Sequence, residues 1–277
     1  MRTPAKMIFS VLSAGVLVAT ASSTASADEQ GPYKPPQPNE SGWIVYSEPP
    51  ARSSTDVYTV QGEPDGNGTC HFQDEADLAP GESSITVDEL AFNPETCESR
   101  IAAAPDSADE AAPVGEEEAA ATAEAAEADE TEESDESAAV QAATRSSGYL
   151  WSWYEDPPGI KVTEAANHTT WSWNGSSVLS SPVPTGSQAT RHFGTSGWSL
   201  ESRNWRNVYN SWETTSSTYA HFRNNIFCAT IDTHVYADRN TVNGQGDGNL
   251  HGEWNWSKSG GCNALLSFHN ELERTQN

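Results

Sequence analysis

Large side chains alternate with small or polar ones along much of the second half of the chain. Successive side chains on a strand point to opposite faces, so this period of two predicts half-buried β-strands. The clearest examples are residues 159–163, 170–173, 218–222 and 233–236.

Asparagine or aspartate followed by glycine interrupts the alternation three times, and such pairs predict tight turns. They are Asn174-Gly175, Asn243-Gly244 and Asp247-Gly248, and we expect the last two to lie within one hairpin that continues into residues 251–256. Strands at short intervals with turns of this kind predict an all-β fold, an antiparallel β-sandwich or barrel.

This half of the chain is predicted to be one tryptophan-rich domain that ends in a short helix. Residues 148–277 form the predicted sandwich domain and contain nine of the ten tryptophans. Leu265, Leu266 and Phe268 suggest the apolar face of a short helix over 263–272.

Residues 28–100 predict a smaller β part. Strand patterns lie at 42–47 and 56–60, a Gly-rich turn follows at 64–68, and a further strand precedes Cys97. The segment has few large apolar side chains, so we expect it to depend on a disulfide for stability.

Residues 101–147 separate these two parts and are dominated by Ala, Glu and Asp. The segment has 14 acidic residues against 1 basic residue, a net charge of −13, and no apolar stripe of helical period. Such composition predicts a disordered, self-repelling linker. The alternative is an acidic segment that captures cations or a basic partner.

Residues 1–27 have the three parts of a secretory signal peptide. Arg2 and Lys6 precede an apolar run at 7–20, and Ala25-Ser26-Ala27 gives a cleavage site before Asp28. The run is shorter than the roughly 20 residues that a membrane-spanning helix needs. We therefore predict a secreted, extracellular protein without membrane insertion.

The four cysteines, Cys70, Cys97, Cys228 and Cys262, are an even number in a chain predicted to be exported. Disulfides are the expected state in an oxidising compartment, and four cysteines allow three pairings. Pairing nearest neighbours, Cys70 with Cys97 and Cys228 with Cys262, keeps each bridge on one side of the acidic linker. Each bridge would close a loop of roughly 30 residues, worth about 3.5–4 kcal/mol in the chain-entropy model.

The formal net charge of −26 excludes several classes of partner. Nucleic-acid phosphates and anionic membrane surfaces both require a positive patch on the protein. We therefore expect a polysaccharide or another extracellular protein as partner, no nucleic acid, and a monomeric chain.

Three Trp-x-Trp pairs are the strongest candidates for a binding surface. Residues two apart on a strand share a face, so each pair forms an aromatic strip. A strip that faces inward is core, whereas one that faces outward is a platform on which a pyranose ring can stack. Trp198, Trp205 and Trp212 recur every seven residues and are interpreted as core. The six candidate ligand-binding residues are Trp151, Trp153, Trp171, Trp173, Trp254 and Trp256.

Carboxylates suggest a competing function, that of a secreted hydrolase. A pair at the separation used in glycoside hydrolysis cannot be identified from spacing alone. The motifs of serine, cysteine and zinc hydrolases are missing from the sequence, and no catalytic residue is assigned. The acidic candidates are Glu155, Asp156, Asp232, Asp238, Asp247 and Glu253.

Asp232 with His234 and His251 with Glu253 are candidate metal-ligand pairs, since each pair would share a strand face. His221 and His269 could complete such a site. This spacing is non-specific, and the sequence contains no CxxC pair. The sequence therefore predicts no metal site and no cofactor.

Several motifs resemble a group of secreted proteins of filamentous actinobacteria. They are the run from Pro80 to Cys97, Trp153-Tyr154-Glu155-Asp156-Pro157, Trp171-Ser172-Trp173-Asn174-Gly175 and Thr195-Ser196-Gly197-Trp198. The resemblance covers 78–100 and 148–277, omits the acidic linker and assigns no activity. It implies an alternative architecture in which 28–100 packs against 148–277 as one unit, with the linker as a surface insertion.

Together these patterns predict an extracellular binding or interaction module, with a glycan or cell-envelope polymer as ligand. The alternatives are the carboxylate hydrolase and a structural, envelope-associated protein without a small ligand. An exposed Trp-x-Trp strip would favour the binding module, and converging carboxylates in a cleft would favour the hydrolase.

Overall fold

The computed structural model describes residues 37–50, 54–106, 143–229 and 231–276. All of them fall in one compact unit, Pro35–Asn277. The predicted signal peptide and residues 107–142 of the predicted linker lie outside the described residues.

The described residues form fourteen strands and two short 3-10 turns, and they include no α-helix. The 3-10 turns are Gly194–Ser196 and Asn263–Leu265. The strands are β1 (Ile44–Val45), β2 (Asp56–Gln61), β3 (Glu63–Pro64), β4 (Cys70–Leu78), β5 (Ser84–Asn93), β6 (Glu98–Asp106), β7 (Thr144–Glu155), β8 (Lys161–Trp173), β9 (Thr185–His192), β10 (Trp198–Tyr209), β11 (Glu213–Cys228), β12 (Ile231–Gln245), β13 (Leu250–Gly260) and β14 (Ser267–Gln276).

The strands make two antiparallel sheets packed face to face. Sheet A has the order β2-β6-β5-β14-β7-β8-β9, with β1 also paired to β5, and sheet B has the order β10-β11-β12-β13-β4-β3. The all-β prediction is confirmed, and the separate sheets correspond to the sandwich rather than the closed barrel.

The segments on either side of the acidic linker share both sheets. In sheet A, β5 pairs with β14, and in sheet B, β4 pairs with β13. The division into a separate small part and a sandwich domain is therefore corrected to a single sandwich. The predicted linker boundaries shift as well, because β6 extends to Asp106 and β7 begins at Thr144.

Both predicted disulfides are present. Cys70 on β4 bonds Cys97 in the turn between β5 and β6, which ties sheet B to sheet A. Cys228 at the end of β11 bonds Cys262 beyond β13. Disulfides of this kind persist outside reducing compartments, so this is a non-cytoplasmic protein. The described part of the chain contains no helix that could span a lipid bilayer.

The C-terminal helix prediction is wrong. Only Asn263–Leu265 turns, and Ser267–Gln276 is strand β14, at the centre of sheet A. Leu266, Phe268 and Leu272 are buried there. A short apolar run fits a helix face and a buried strand equally well, and pairing with β5 and β7 decides for the strand.

The Asn243-Gly244 turn prediction is also wrong, because both residues belong to strand β12. A Cβ on Gly244 would lie 2.3 Å from the Trp171 ring. The glycine therefore permits close packing of Trp171, and the chain reverses later, at Asp247 and Gly248.

Aromatic side chains from both sheets fill one end of the core. The Trp256 ring from sheet B stacks on Phe268 of sheet A at 4.2 Å and on Phe72 at 5.0 Å. Phe72 in turn meets Phe92 edge to face. Stacks of this kind contribute about 0.5–1.5 kcal/mol beyond the area they bury.

The middle of the sandwich is polar and hydrogen-bonded. Asn240 on β12 accepts a bond from Ser152 at 2.6 Å, and its backbone oxygen accepts one from the Asn167 amide at 2.5 Å. Thr218 donates to Asn167 at 2.6 Å, and Asn270 donates to Ser152 at 2.7 Å. Because buried polar groups must be paired to avoid a desolvation cost, these bonds fix how the two sheets face each other.

A buried ion pair also links sheet B to sheet A. The Lys258 ammonium on β13 lies 3.0 Å from the Glu89 carboxylate on β5, and both side chains are fully buried. Lys258 also donates to the Tyr46 hydroxyl and the Leu266 carbonyl, while Glu89 accepts bonds from the Ser99 hydroxyl and the Phe268 amide. Burial lowers the pKa of Lys258, and the Glu89 charge offsets part of that effect.

Candidate functional site

Three of the six candidate tryptophans are core residues. Trp171, Trp254 and Trp256 are each only 1% exposed. They lie between the sheets, so they cannot stack a ligand in this structure. The prediction that these three residues bind a ligand is therefore wrong, and the inward-facing alternative applies to them.

The Trp151 and Trp153 strip lies on the outer face of sheet A, but its polar and apolar surfaces are already engaged. The Trp151 indole donates to Glu164 at 2.6 Å, and the Trp153 indole donates to Glu155 at 2.8 Å. Trp153 stacks on His269, and the Lys161 ammonium lies 3.7 Å from the centre of its ring. This strip is a packed surface cluster rather than an open platform.

Trp173, the sixth candidate, is half-buried at the end of β8. Its indole donates to the Ser146 hydroxyl at 3.1 Å. Gly248 packs on its ring so closely that a Cβ there would lie 2.4 Å away. Trp173 therefore supports the turn that contains Gly248.

The exposed tryptophans are two that the spacing assigned to the core. Trp198 is buried as expected, whereas Trp205 is 43% and Trp212 is 68% exposed. Trp205 lies on the edge strand β10, and Trp212 lies in the turn between β10 and β11. The core interpretation is therefore wrong for Trp205 and Trp212.

Three connections meet around Trp212 at one end of the sandwich. The Val178 amide, after β8, donates to the Ser211 carbonyl at 2.8 Å. The Gly246 amide, in the turn between β12 and β13, donates to the Trp212 carbonyl at 2.8 Å. The Asn210 side chain accepts bonds from the Trp212 and Glu213 amides. The backbone of Trp212 is thus held from three sides while its indole faces solvent.

Close backbone packing makes this arrangement possible. A Cβ on Gly246 would lie 2.6 Å from the Ser177 backbone. Gly248 has φ +93°, a backbone conformation that residues other than glycine rarely adopt. The two glycines therefore allow the β12–β13 turn to approach the β8–β9 connection.

Between these connections lies a depression of about 320 Å³, which we call the Trp212 depression. Its walls combine one exposed indole with carboxylate, amide and hydroxyl groups. Its lining residues are Ser176, Trp212, Glu213, Gln245, Gly246 and Asp247.

The carboxylates considered for hydrolysis do not converge on one cleft. Three pair separately with basic side chains or indoles: Glu155 with Trp153, Asp232 with Arg223 and Glu253 with Arg239. Asp156 accepts the Ile160 amide and Asp238 the Ser257 hydroxyl, while both oxygens of Asp247 accept bonds from Asn249. Of the six, only Asp247 lines the Trp212 depression, where Glu213 is the second carboxylate.

The pKa of Asp156 is raised, but this residue does not line the Trp212 depression. Burial raises its pKa, and the bond from the Ile160 amide acts in the opposite direction. The carboxylate closes the turn between β7 and β8, which also contains the bond from Gly159 to the Asp156 carbonyl.

The histidines considered for metal binding separate into several groups. His251 pairs with Asp77 at 2.8 Å, and His269 pairs with Asp88 at 2.7 Å. His221 and His234 do meet, on the outer face of sheet B. Their third neighbour is Glu201, a residue that sequence spacing did not single out.

No protein-family model matches the chain, and comparisons with curated proteins and with solved structures also give no match.

Proposed function

We propose that this is a secreted binding protein that holds a polysaccharide chain at the Trp212 depression. The observation that carries the proposal is the position of Trp212, the most exposed large apolar side chain among the described residues, at the edge of a polar depression. Trp is among the residue types enriched at the positions that dominate binding energy in interfaces.

The chemistry of the depression fits a sugar. One face of a pyranose ring presents C–H groups that pack on an indole, while its hydroxyls both donate and accept hydrogen bonds. Carboxylates of Glu213 and Asp247 accept such bonds, and the amide of Gln245 can do both. A neutral polyol also suits an acidic protein better than an anionic partner does.

Preorganisation supports the same interpretation. Hydrogen bonds from Gly246 and Asn210 hold the turn that carries Trp212, so little backbone freedom remains to be lost on binding. Reduced ordering cost is a general route to useful affinity in a shallow site.

Replacing Trp212 with alanine should weaken retention on polysaccharide at least about tenfold, since central aromatic anchors dominate binding energy. The measurement is a pull-down of the purified protein with amorphous cellulose, chitin, β-1,3-glucan and peptidoglycan. Trp205→Ala is the matched control because it removes an exposed indole from the same hairpin outside the depression.

Equal retention of Trp212→Ala and the unmodified protein would overturn the proposal, as would failure of all four polymers to retain the protein. Release of reducing sugar from a retained polymer, abolished by Glu213→Gln, would instead favour the hydrolase. Unfolding in urea shows that each variant is folded.

A further inference from the structure

Glu201, His221 and His234 form a compact cluster on three neighbouring strands of sheet B. His221 on β11 lies opposite Tyr236 on β12, which places His234 diagonally beside it. Glu201 lies at a bulge in β10, where the register shifts opposite His221. The cluster is therefore fixed by strand pairing and not by a loop.

The distances within the cluster resemble those of ligands around one ion. Nε2 of His221 lies 3.1 Å from Nδ1 of His234. Two nitrogens bound to one tetrahedral zinc ion at their usual bond lengths are about 3.3 Å apart. One potential ligand atom from each of the three residues lies within 4.8 Å of the other two.

The surroundings orient the His221 ring as metal-bound imidazoles commonly are. Its second nitrogen, Nδ1, lies 3.2 Å from the Glu201 carboxylate, and histidine ligands usually have such a carboxylate partner on the nitrogen away from the metal. The Tyr236 ring stacks on the imidazole at 4.3 Å and restricts its rotation.

The charge balance around the cluster favours a cation. Arg223 is a positive neighbour that pairs with Glu201 at 3.3 Å and with Asp232 at 2.6 Å. Asp238 contributes a further negative charge that acts on His221. Glu201, Asp232 and Asp238 thus give three carboxylates against one guanidinium.

We propose that His221 and His234 bind a divalent transition-metal ion of the class to which Zn²⁺ belongs, with Glu201 as the carboxylate partner of the His221 nitrogen that faces away from the ion. Imidazole nitrogens suit zinc, copper and nickel better than calcium or magnesium, which prefer oxygen ligands. A bound ion joins β11 to β12, and Glu201 connects the edge strand β10 to the same cluster. His221 is eight residues along β11 from Glu213, about 26 Å of extended strand, so this site is separate from the Trp212 depression.

The test is isothermal titration of ZnCl₂ into chelator-treated, purified protein. We expect one ion per chain, with affinity at least about tenfold weaker in His221→Gln and in His234→Gln. Glutamine retains hydrogen bonding on this polar surface, so both variants should fold. His251→Gln is the matched control, since His251 also pairs with a carboxylate on sheet B but lies outside the cluster.

Replacing zinc with Co²⁺ gives a second readout, because visible absorption of cobalt reports its coordination geometry. Tetrahedral-type absorption that disappears in His234→Gln supports the site. The proposal is overturned if the protein binds no zinc at millimolar concentration, or if the two cluster variants bind zinc as tightly as His251→Gln does.

Discussion

Replacing Lys258 with methionine should lower the free energy of unfolding by about 3–5 kcal/mol, the usual effect of removing one partner from a buried ion pair. The side chain has no exposed surface, and its ammonium makes three hydrogen bonds, to Glu89, Tyr46 and the Leu266 carbonyl. Methionine fills a similar volume but leaves the Glu89 charge buried without its counter-ion.

Urea unfolding measures this loss, with Lys161→Met on the outer face of sheet A as the control. The control should change stability by less than about 1 kcal/mol, since it removes an exposed cation. Adding Glu89→Gln to Lys258→Met removes the stranded charge and keeps an acceptor for the Phe268 amide. The double variant should therefore recover part of the loss, and a single variant within 1 kcal/mol of the unmodified protein would contradict the buried pair.

Replacing Trp256 with alanine should lower the free energy of unfolding by about 3–5 kcal/mol, which is typical of deleting a buried indole. The ring lies between Phe268 and Phe72 and is almost completely enclosed, so its removal leaves a cavity between the sheets. Trp205→Ala, on the exposed edge strand, should change stability by less than about 1 kcal/mol.

Urea unfolding and polysaccharide pull-down on these two variants show whether Trp256 stabilises the fold or binds the ligand. If Trp256→Ala unfolds at much lower urea while its folded fraction still binds polymer, Trp256 is structural. Loss of binding with unchanged stability would contradict the inward orientation of the Trp254 and Trp256 strip.

Features that depend on local order along the chain could be predicted from the sequence. The alternation around residues 170–173 and 218–222 gives strands, because period two is a property of the strand itself. Pairing Cys70 with Cys97 keeps that bridge on one side of the acidic linker, and strands β4 to β6 place the two cysteines together.

Features that depend on which face meets the other sheet could not be predicted. Period two puts Trp254 and Trp256 on one face, but only the packing of sheet B on sheet A shows that this face is the inner one. Charged residues within strands, such as Glu89 and Lys258, are expected to face solvent, and their mutual burial follows from contacts 169 residues apart.

The candidate site was missed for a related reason. Trp212 follows Asn210 and Ser211, a turn-forming pair, and this local signal could have placed it on an exposed turn. The seven-residue spacing from Trp198 and Trp205 instead suggested a core. Glu213 on β11 and Asp247 in the turn between β12 and β13 reach the same depression from positions distant in sequence, which no local pattern reveals.

The most direct test of polysaccharide binding at Trp212 is ¹⁹F NMR of the protein labelled with 5-fluorotryptophan. Trp212→Phe identifies the Trp212 resonance by its disappearance. On titration with soluble oligosaccharides of a retained polymer, that resonance should shift or broaden, while those of the buried Trp171, Trp254 and Trp256 stay unchanged. A Trp212 resonance that does not respond while the protein binds the sugar would show that the ligand binds elsewhere.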